Sequence, residues 1–373
     1  MTLENFYDRI SSQLKSQLPF VVYRKPNEET TQAIFQHTND LYQTSTFTES
    51  GFVFAPFDNE RDAVLMPFAH SEKLSIEEKQ SELLVSHTNT KSSSSIEDEL
   101  QHIELIKRGI NAIENTDLKK VVLSRKETMA LSDDNPISIF RKLLSHYKSA
   151  FVYCWYHPKV GLWLGATPET LLKLEGNNFS IMSLAGTQNY DNTLKVTWKQ
   201  KELQEQQYVT DFILDTIKPV VKDIKVSETE TVKTGNLLHL KTKISGHVNP
   251  QTLDFKKLLE ALHPTPAVCG LPKATAKAFI LKHEGYDREY YTGFLGELHL
   301  EKETMPRSAN RNIENRAYAI KRKCSALYVN LRCMQIIDHQ ATIYVGGGIT
   351  KDSITESEWE ETVSKSLVMK KVL

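Results

Sequence analysis

Residues 151–187 read FVYCWYHPKVGLWLGATPETLLKLEGNNFSIMSLAGT, and this stretch decides the fold. Its apolar runs at 151–156, 162–164, 171–174 and 179–182 are rich in aromatic and β-branched residues and are four to six residues long or shorter. Pro158-Lys159-Val160-Gly161 and Gly176-Asn177-Asn178 punctuate them with turn chemistry. Strands joined by such short links predict antiparallel pairing, because a parallel crossover needs a dozen or more residues.

Upstream, Ile103, Ile106, Ile110 and Ile113 recur at helical spacing, and Asn115-Thr116-Asp117 turns the chain into the buried strand Val121-Val122-Leu123. Downstream, the pattern predicts a helix over 198–217, a polar helix or loop from Gly296 to about Lys323, and two strands flanking Asp338-His339-Gln340. A final helix begins near Thr355, where Thr355 and Glu358 have capping-box spacing. Strands and helices without βαβ alternation predict an α+β fold, a large single domain of antiparallel sheets with helices packed outside. Residues 87–98, with Thr-Asn-Thr-Lys-Ser-Ser-Ser-Ser at their centre, read as a flexible surface connection. They separate an N-terminal portion, residues 1–90, expected to pack into the same fold, from residues 97–373.

The 46 basic and 47 acidic side chains nearly cancel, which removes the electrostatic footprint of a non-specific nucleic-acid binder. The first twenty residues carry several charges, and no apolar run reaches membrane-spanning length, so neither a span nor a signal peptide is expected and a cytoplasmic location is the default. Cys154, Cys269, Cys324 and Cys333 show no C-x-x-C spacing and read as reduced, buried thiols.

Several polar residues stand out against this background. Lys120 abuts the apolar run 121–123; it either snorkels to solvent or, if buried, loses its ammonium stabilisation, so that its pKa falls from about 10.4 and the amine becomes a usable base. Glu169 ends Gly165-Ala-Thr-Pro-Glu between two apolar strands; solvated it is inert, whereas in an apolar pocket it stays protonated and can serve as an acid. Glu205 shares a helical stripe with Val209, Phe212 and Thr216, and is either paired with Lys201 one turn earlier or a ligand for magnesium, which favours carboxylate oxygen. Glu361 and Lys365 have the spacing of an ordinary helix ion pair. Arg332, within a strand-like run, could grip a carboxylate bidentately, and Gly346-Gly347-Gly348 could bring backbone amides to an anion or form a bulge. His239 reads as a satisfied core histidine or a site residue. The chain holds neither a dinucleotide-binding nor a P-loop glycine pattern.

Together, Lys120-Val-Val-Leu-Ser-Arg, Gly165-Ala-Thr-Pro-Glu, Leu184-Ala-Gly-Thr, Leu262-His-Pro-Thr-Pro-Ala, Asn330-Leu-Arg-Cys, Gly346-Gly-Gly-Ile and Glu358-Trp-Glu-Glu-Thr resemble, in order, the segments of the chorismate-utilising enzymes. That family includes isochorismate synthase, salicylate synthase, anthranilate synthase component I and aminodeoxychorismate synthase. The resemblance implies that Lys120 is the general base, Glu169 the general acid, and Glu205 with Glu361 the Mg²⁺ ligands. It places His239, Ala267, Gly270, Arg332, Lys365 and the backbone at Gly346 and Gly348 around the substrate, chorismate. Ala185 stands where aminodeoxychorismate synthases carry a nucleophilic lysine, and Ala267 where aminating members carry threonine, which leaves water as the nucleophile. The implied reaction is hydroxyl migration from chorismate to isochorismate in a monomer. Salicylate synthase and a non-catalytic chorismate-binding protein are the alternatives, and menaquinone and siderophore biosynthesis are both destinations the resemblance allows. Gln206, Cys269 and Glu297 depart from residues common in the family.

Overall fold

Residues 151–187 form strands, but they do not stay in one sheet. In the computed structural model, which describes residues 1–78, 95–304 and 320–373, Phe151–His157 pairs antiparallel with Gly161–Thr167 and Thr170–Glu175 pairs antiparallel with Asn178–Asn189. Thr167 and Thr170, however, end and begin strands of different sheets. The two-residue link of Pro168 and Glu169 is therefore a corner between sheets. Proline suits it, having no N–H to give to a ladder.

The first sheet has nine strands, in the spatial order Gly270–Leu271, Lys120–Ala130, Gln340–Ile349, Cys333–Ile337, Gly161–Thr167, Phe151–His157, Phe20–Arg24, Thr30–Gln36 and Ser71–Glu77. The second has ten: Lys222–Val226, Leu237–His247, Asn178–Asn189, Thr170–Glu175, Ile320–Val329, Phe294–Thr304, Gly51–Ala55, Ala63–Pro67 and Tyr42–Thr44 in order, with Glu230–Thr234 also pairing Leu237–His247. Every pair is antiparallel. Residues before 78 add strands to both sheets rather than forming a separate core.

The facing sides of the sheets enclose an aromatic layer: Tyr23, Phe151, Tyr153, Trp155, Trp163 and Tyr344 from the first meet Phe52, Phe54 and Tyr328 from the second. Phe151 stacks on Tyr328 at 4.2 Å and Phe54 on Tyr290 at 4.3 Å. Burying each such side chain stabilises by roughly 1.5–3 kcal/mol, so this layer fixes how the sheets stack.

Seven helices occupy the outer faces among the described residues: α1 (Leu3–Lys15), α2 (Ile96–Asn115), α3 (Pro136–His146), α4 (Gln200–Ile217), α5 (Phe255–Leu262), α6 (Lys273–His283) and α7 (Thr355–Lys370). Helices α1, α3 and α7 cover the first sheet through Phe6, Ile139, Phe140 and Met369. Helices α4 and α5 cover the second through Val209, Ile213 and Leu259, and α2 and α6 pack on Val121 and Leu123. None of these helices is long and apolar enough to cross a membrane.

Four expectations need correction. The polar stretch from Gly296 is strand, Phe294–Thr304, and the return strand Ile320–Val329 takes in its end, with 305–319 outside the described residues. A register shift between Glu297 and Leu300, with His299 at φ 49°, breaks the alternation that would have marked it. Arg332 is not within a strand: one strand ends at Val329 and the next begins at Cys333 in the other sheet, with Arg332 at φ 49° between them. The capping box at Thr355 does not form; Thr355 Oγ1 donates to Glu356, and Glu358 is drawn to Lys201. Of the connection at 87–98, residues 87–94 lie outside the described residues, while Ser95 caps α2 by accepting from Asp98 N at 3.0 Å.

Candidate active site

The link bearing Glu169 and the link bearing Arg332 both carry the chain from one sheet to the other, and they lie side by side. Val329 N donates to Glu169 O at 3.1 Å, and Ala166 N donates to Arg332 O at 3.0 Å. The crossing opens a cleft lined by Glu169, Ala185, Glu205, His239, Ala267, Arg332, Gly346, Gly348, Glu361 and Lys365, ten of the twelve residues singled out in the sequence. Lys120, wholly buried, stands behind Gly348.

Glu169 is 3 % exposed, and burial raises its carboxyl to about 8 against the opposing pull of Lys120. At neutral pH it therefore keeps its proton, the state a general acid needs. Lys120 begins the strand Lys120–Ala130 and its Nζ lies 2.8 Å from Glu205 Oε1 on α4. Burial opposes ionisation of Glu205, but Lys120, Lys201 and Lys365 together hold its carboxyl below the usual range. Glu205 does not pair with Lys201. Its helix buries Gln206, Val209, Ile213 and Ile217 against the sheet, so Glu205 sits on the flank of the buried stripe and turns to the cleft.

His239 and Arg332 form a single polar unit. His239 Nδ1 lies 2.8 Å from the Gly186 carbonyl, which only a donor satisfies, so Nε2 accepts from Arg332 Nη2 at 2.9 Å. Burial and the guanidinium depress the imidazole to about 3, which keeps it neutral. Arg332 Nη1 is buried with no hydrogen-bond partner among the described residues, an available donor for an anion in the cleft. Lys365 Nζ pairs with Glu361 at 2.7 Å and donates to Gly346 O at 2.8 Å.

Carboxylates gather where the glycine strand passes. A Cβ on Gly348 would lie 2.5 Å from Glu205 Oε1, and one on Gly347 3.7 Å from Glu361 Oε1 and 3.8 Å from Glu358 Oε2. At 348 a side chain would push Glu205 aside, whereas at 347 it would make ordinary contact with the two acids. Burial raises the Glu358 carboxyl, Lys201 partly offsets this, and neighbouring Glu361 adds to the rise. Glu202 Oε2 is buried without a hydrogen-bond partner among the described residues. The described residues hold no ready-made cluster of three or more metal-ligating side chains. Two hard-oxygen carboxylates from different elements, with room left for water and substrate, nonetheless fit magnesium, which seldom uses an all-protein cage.

Gly270 does not line the cleft. It pairs with Val121 in the strand beside Lys120, at φ 139°, and a Cβ there would strike Lys120 O at 2.2 Å. Its role is to let that backbone approach. The three departures also stay out of the cleft: Gln206 donates to Ser183 and Thr242, Cys269 is in the core under α6, and Glu297 joins Lys25 at 2.7 Å and Tyr23 at 2.6 Å between the sheets. The sequence reading missed Glu358, Lys201, Tyr291 and Thr292. Glu358 and Lys201 lie three or four residues from Glu361 and Glu205 on the same helices, a spacing that a solvated helix face shows equally.

The sequence pattern of the chorismate binding enzymes matches residues 38–304, and a second pattern of that description matches residues 318–371. The chain belongs to the chorismate-binding enzyme family. Curated relatives include the vibriobactin-specific isochorismate synthase of Vibrio cholerae, 26% identical over 69% of this chain and 62% of that protein. Isochorismate synthase DhbC of Bacillus subtilis is 26% identical over 71% of this chain and 65% of its own length. The match thus spans under two thirds of either relative. Among solved structures, DhbC of Bacillus anthracis superposes with a TM-score of 0.76 at 23% identity, covering 97% of this chorismate-binding enzyme and 98% of that chain. At that identity the likeness establishes the fold: two antiparallel sheets with helices outside.

Proposed function

We propose that this chorismate-binding enzyme is an isochorismate synthase, adding a hydroxyl at C2 of chorismate as the C4 hydroxyl leaves and the ring double bonds shift. The observation that carries the reading is Glu169, a buried carboxyl raised to about 8, lining the same cleft as Glu205, whose Oε1 lies 2.8 Å from the buried Lys120 Nζ. Lys120, entering the step as the free amine once the proton it holds against Glu205 has been released to solvent, takes a proton from the attacking water, and Glu169 gives one to the departing hydroxyl. The arrangement offers an acid in the cleft and a base buried beside it. Arg332, oriented by neutral His239, takes a substrate carboxylate through its available Nη1. Ala185 and Ala267 line the cleft with methyl groups alone, so neither can attack the ring and water is the nucleophile. The isochorismate synthases among the relatives support the same reading.

Glu205 and Glu361 would hold Mg²⁺, with Glu358 beside them. The ion would supply positive charge to a substrate carboxylate. The reading takes the working unit as a monomer acting on a small soluble substrate in the cytoplasm.

The test is conversion of chorismate by purified protein with and without Mg²⁺, products resolved by liquid chromatography. Isochorismate formed only with the metal is expected, and Lys120→Ala or Glu169→Ala should lose about 10² to 10⁴ of the rate. Salicylate and pyruvate as the products would replace this reading with salicylate synthase, and tight binding without turnover with a non-catalytic one.

A further inference from the structure

A second groove adjoins the catalytic cleft, and Pro168 and Leu184 face both. Lys173, Lys233, Lys241 and Lys243 line it, and no acidic residue does. Pairing places three of these lysines on one face. Lys173 lies opposite Ser180, Lys243 opposite Met182 and Lys241 opposite Leu184. Because side chains alternate across a strand, Ser180, Met182 and Leu184 share a face and carry their partners with them. The opposite face, with Phe179, Ile181 and Ile244, is buried under α4 and α5. Successive positions along a strand on that face are about 7 Å apart, so Lys243 and Lys241 step toward Leu184 on the lip of the cleft, with Lys173 on the far side of Asn178–Asn189, and the three make a row flanking that strand.

Local partners account for these lysines only in part. Lys241 meets Glu230 at 2.8 Å and Lys233 lies over the Tyr190 ring at 3.6 Å, outside the groove's lining. Burial, Lys25 and Lys243 work against the charge of half-buried Lys173 and Glu28 and Glu175 work for it, and its Nζ lies 5.6 Å from the centre of the Tyr328 ring. In a chain whose charges sum to −1, such a concentration of one sign sets up a local field. In the cleft at its end Glu205 and Glu361 are set against Arg332 and Lys365, so that lining by itself gives little long-range pull on an anion.

The geometry points to a substrate-steering groove: Lys173, Lys241 and Lys243 attract a small dicarboxylate anion and pass it over Leu184 and Pro168 into the cleft. This rests on reading the cleft as a chorismate site, since chorismate carries two carboxylates. The row acts at long range and touches no reacting atom, so its signature is in capture rather than in turnover.

The experiment compares wild type, Lys173→Glu/Lys243→Glu, the milder Lys173→Gln/Lys243→Gln, and the distant control Lys15→Glu, at ionic strengths from about 0.01 to 0.3 M, where the screening length falls from about 30 Å to below 10 Å. The wild-type kcat/KM for chorismate should fall as salt rises. The charge-reversed variant should show about tenfold lower kcat/KM at low salt and a flat salt dependence, with kcat unchanged; Lys15→Glu should follow wild type. The Gln pair should fall between, which keeps the comparison available if charge reversal impairs folding. Identical salt slopes in wild type and both groove variants would overturn the proposal while leaving the reaction standing. Calorimetric binding of chorismate to Glu169→Gln, in the wild-type and groove-variant backgrounds, separates the two: salt-dependent capture without any turnover by the wild type would remove the reaction and keep the groove.

Discussion

Lys120 Nζ and Glu205 Oε1 meet at 2.8 Å with the lysine wholly buried, joining the inner strand of the first sheet to the helix that covers the second. A pair so enclosed is costly to break from one side, because the remaining charge has neither water nor partner. Glu205→Leu is expected to destabilise the fold by roughly 3–5 kcal/mol, whereas adding Lys120→Met to it should recover most of that loss while remaining inactive. Urea denaturation of both singles and the double closes the cycle. Additive losses would mean that the two side chains do not interact.

The raised carboxyl of Glu169 makes both activity and stability depend on pH. The folded chain holds this proton up to about 8, while the unfolded chain releases it near the ordinary 4.5. The group's contribution to stability is therefore complete below 4.5 and declines as pH rises to about 8. Activity should fall on the alkaline side as the acid is lost, and Glu169→Gln should remove that limb together with most of the rate. A kcat profile in the wild type that is flat from pH 6 to about 9 would contradict the assignment.

His239 is held neutral at about 3, so it contributes no titration to the activity profile in the physiological range. Its part is to orient Arg332. His239→Phe removes the acceptor at 2.9 Å and should raise KM for chorismate about tenfold, a loss on the scale of one charge-assisted hydrogen bond, with a smaller effect on kcat. Steady-state kinetics decide it: an unchanged KM would show that Arg332 needs no such support.

Gly270 should behave as a structural position. With φ at 139° and Lys120 O only 2.2 Å from a would-be Cβ, Gly270→Ala must displace the strand that carries Lys120. Thermal unfolding is expected to show a loss of several degrees, accompanied by lower kcat. Wild-type stability with only a raised KM would return Gly270 to the substrate-binding set.

Much of the site was legible along the chain because it consists of ionisable residues set into apolar text. Lys120 beside Val121-Val122-Leu123 and Glu205 on the flank of an apolar helix stripe are local anomalies, and a buried charge needs a reason wherever it occurs. Glu358 and Lys201 escaped because each has the local look of a solvated helix face. Only their meeting across two helices shows otherwise.

The sequence by itself determined the elements: alternating apolar runs and short turns dictate antiparallel strands, and helical spacing dictates α2 and α4, since both depend on neighbours a few residues apart. The tertiary structure alone decided which strands share a sheet. Nothing local distinguishes the turn at Gly176, which keeps the chain in one sheet, from the corner at Pro168, which sends it to the other. That difference is set by the aromatic layer between the sheets and by pairing with strands more than a hundred residues away, and it places Glu169 next to Arg332.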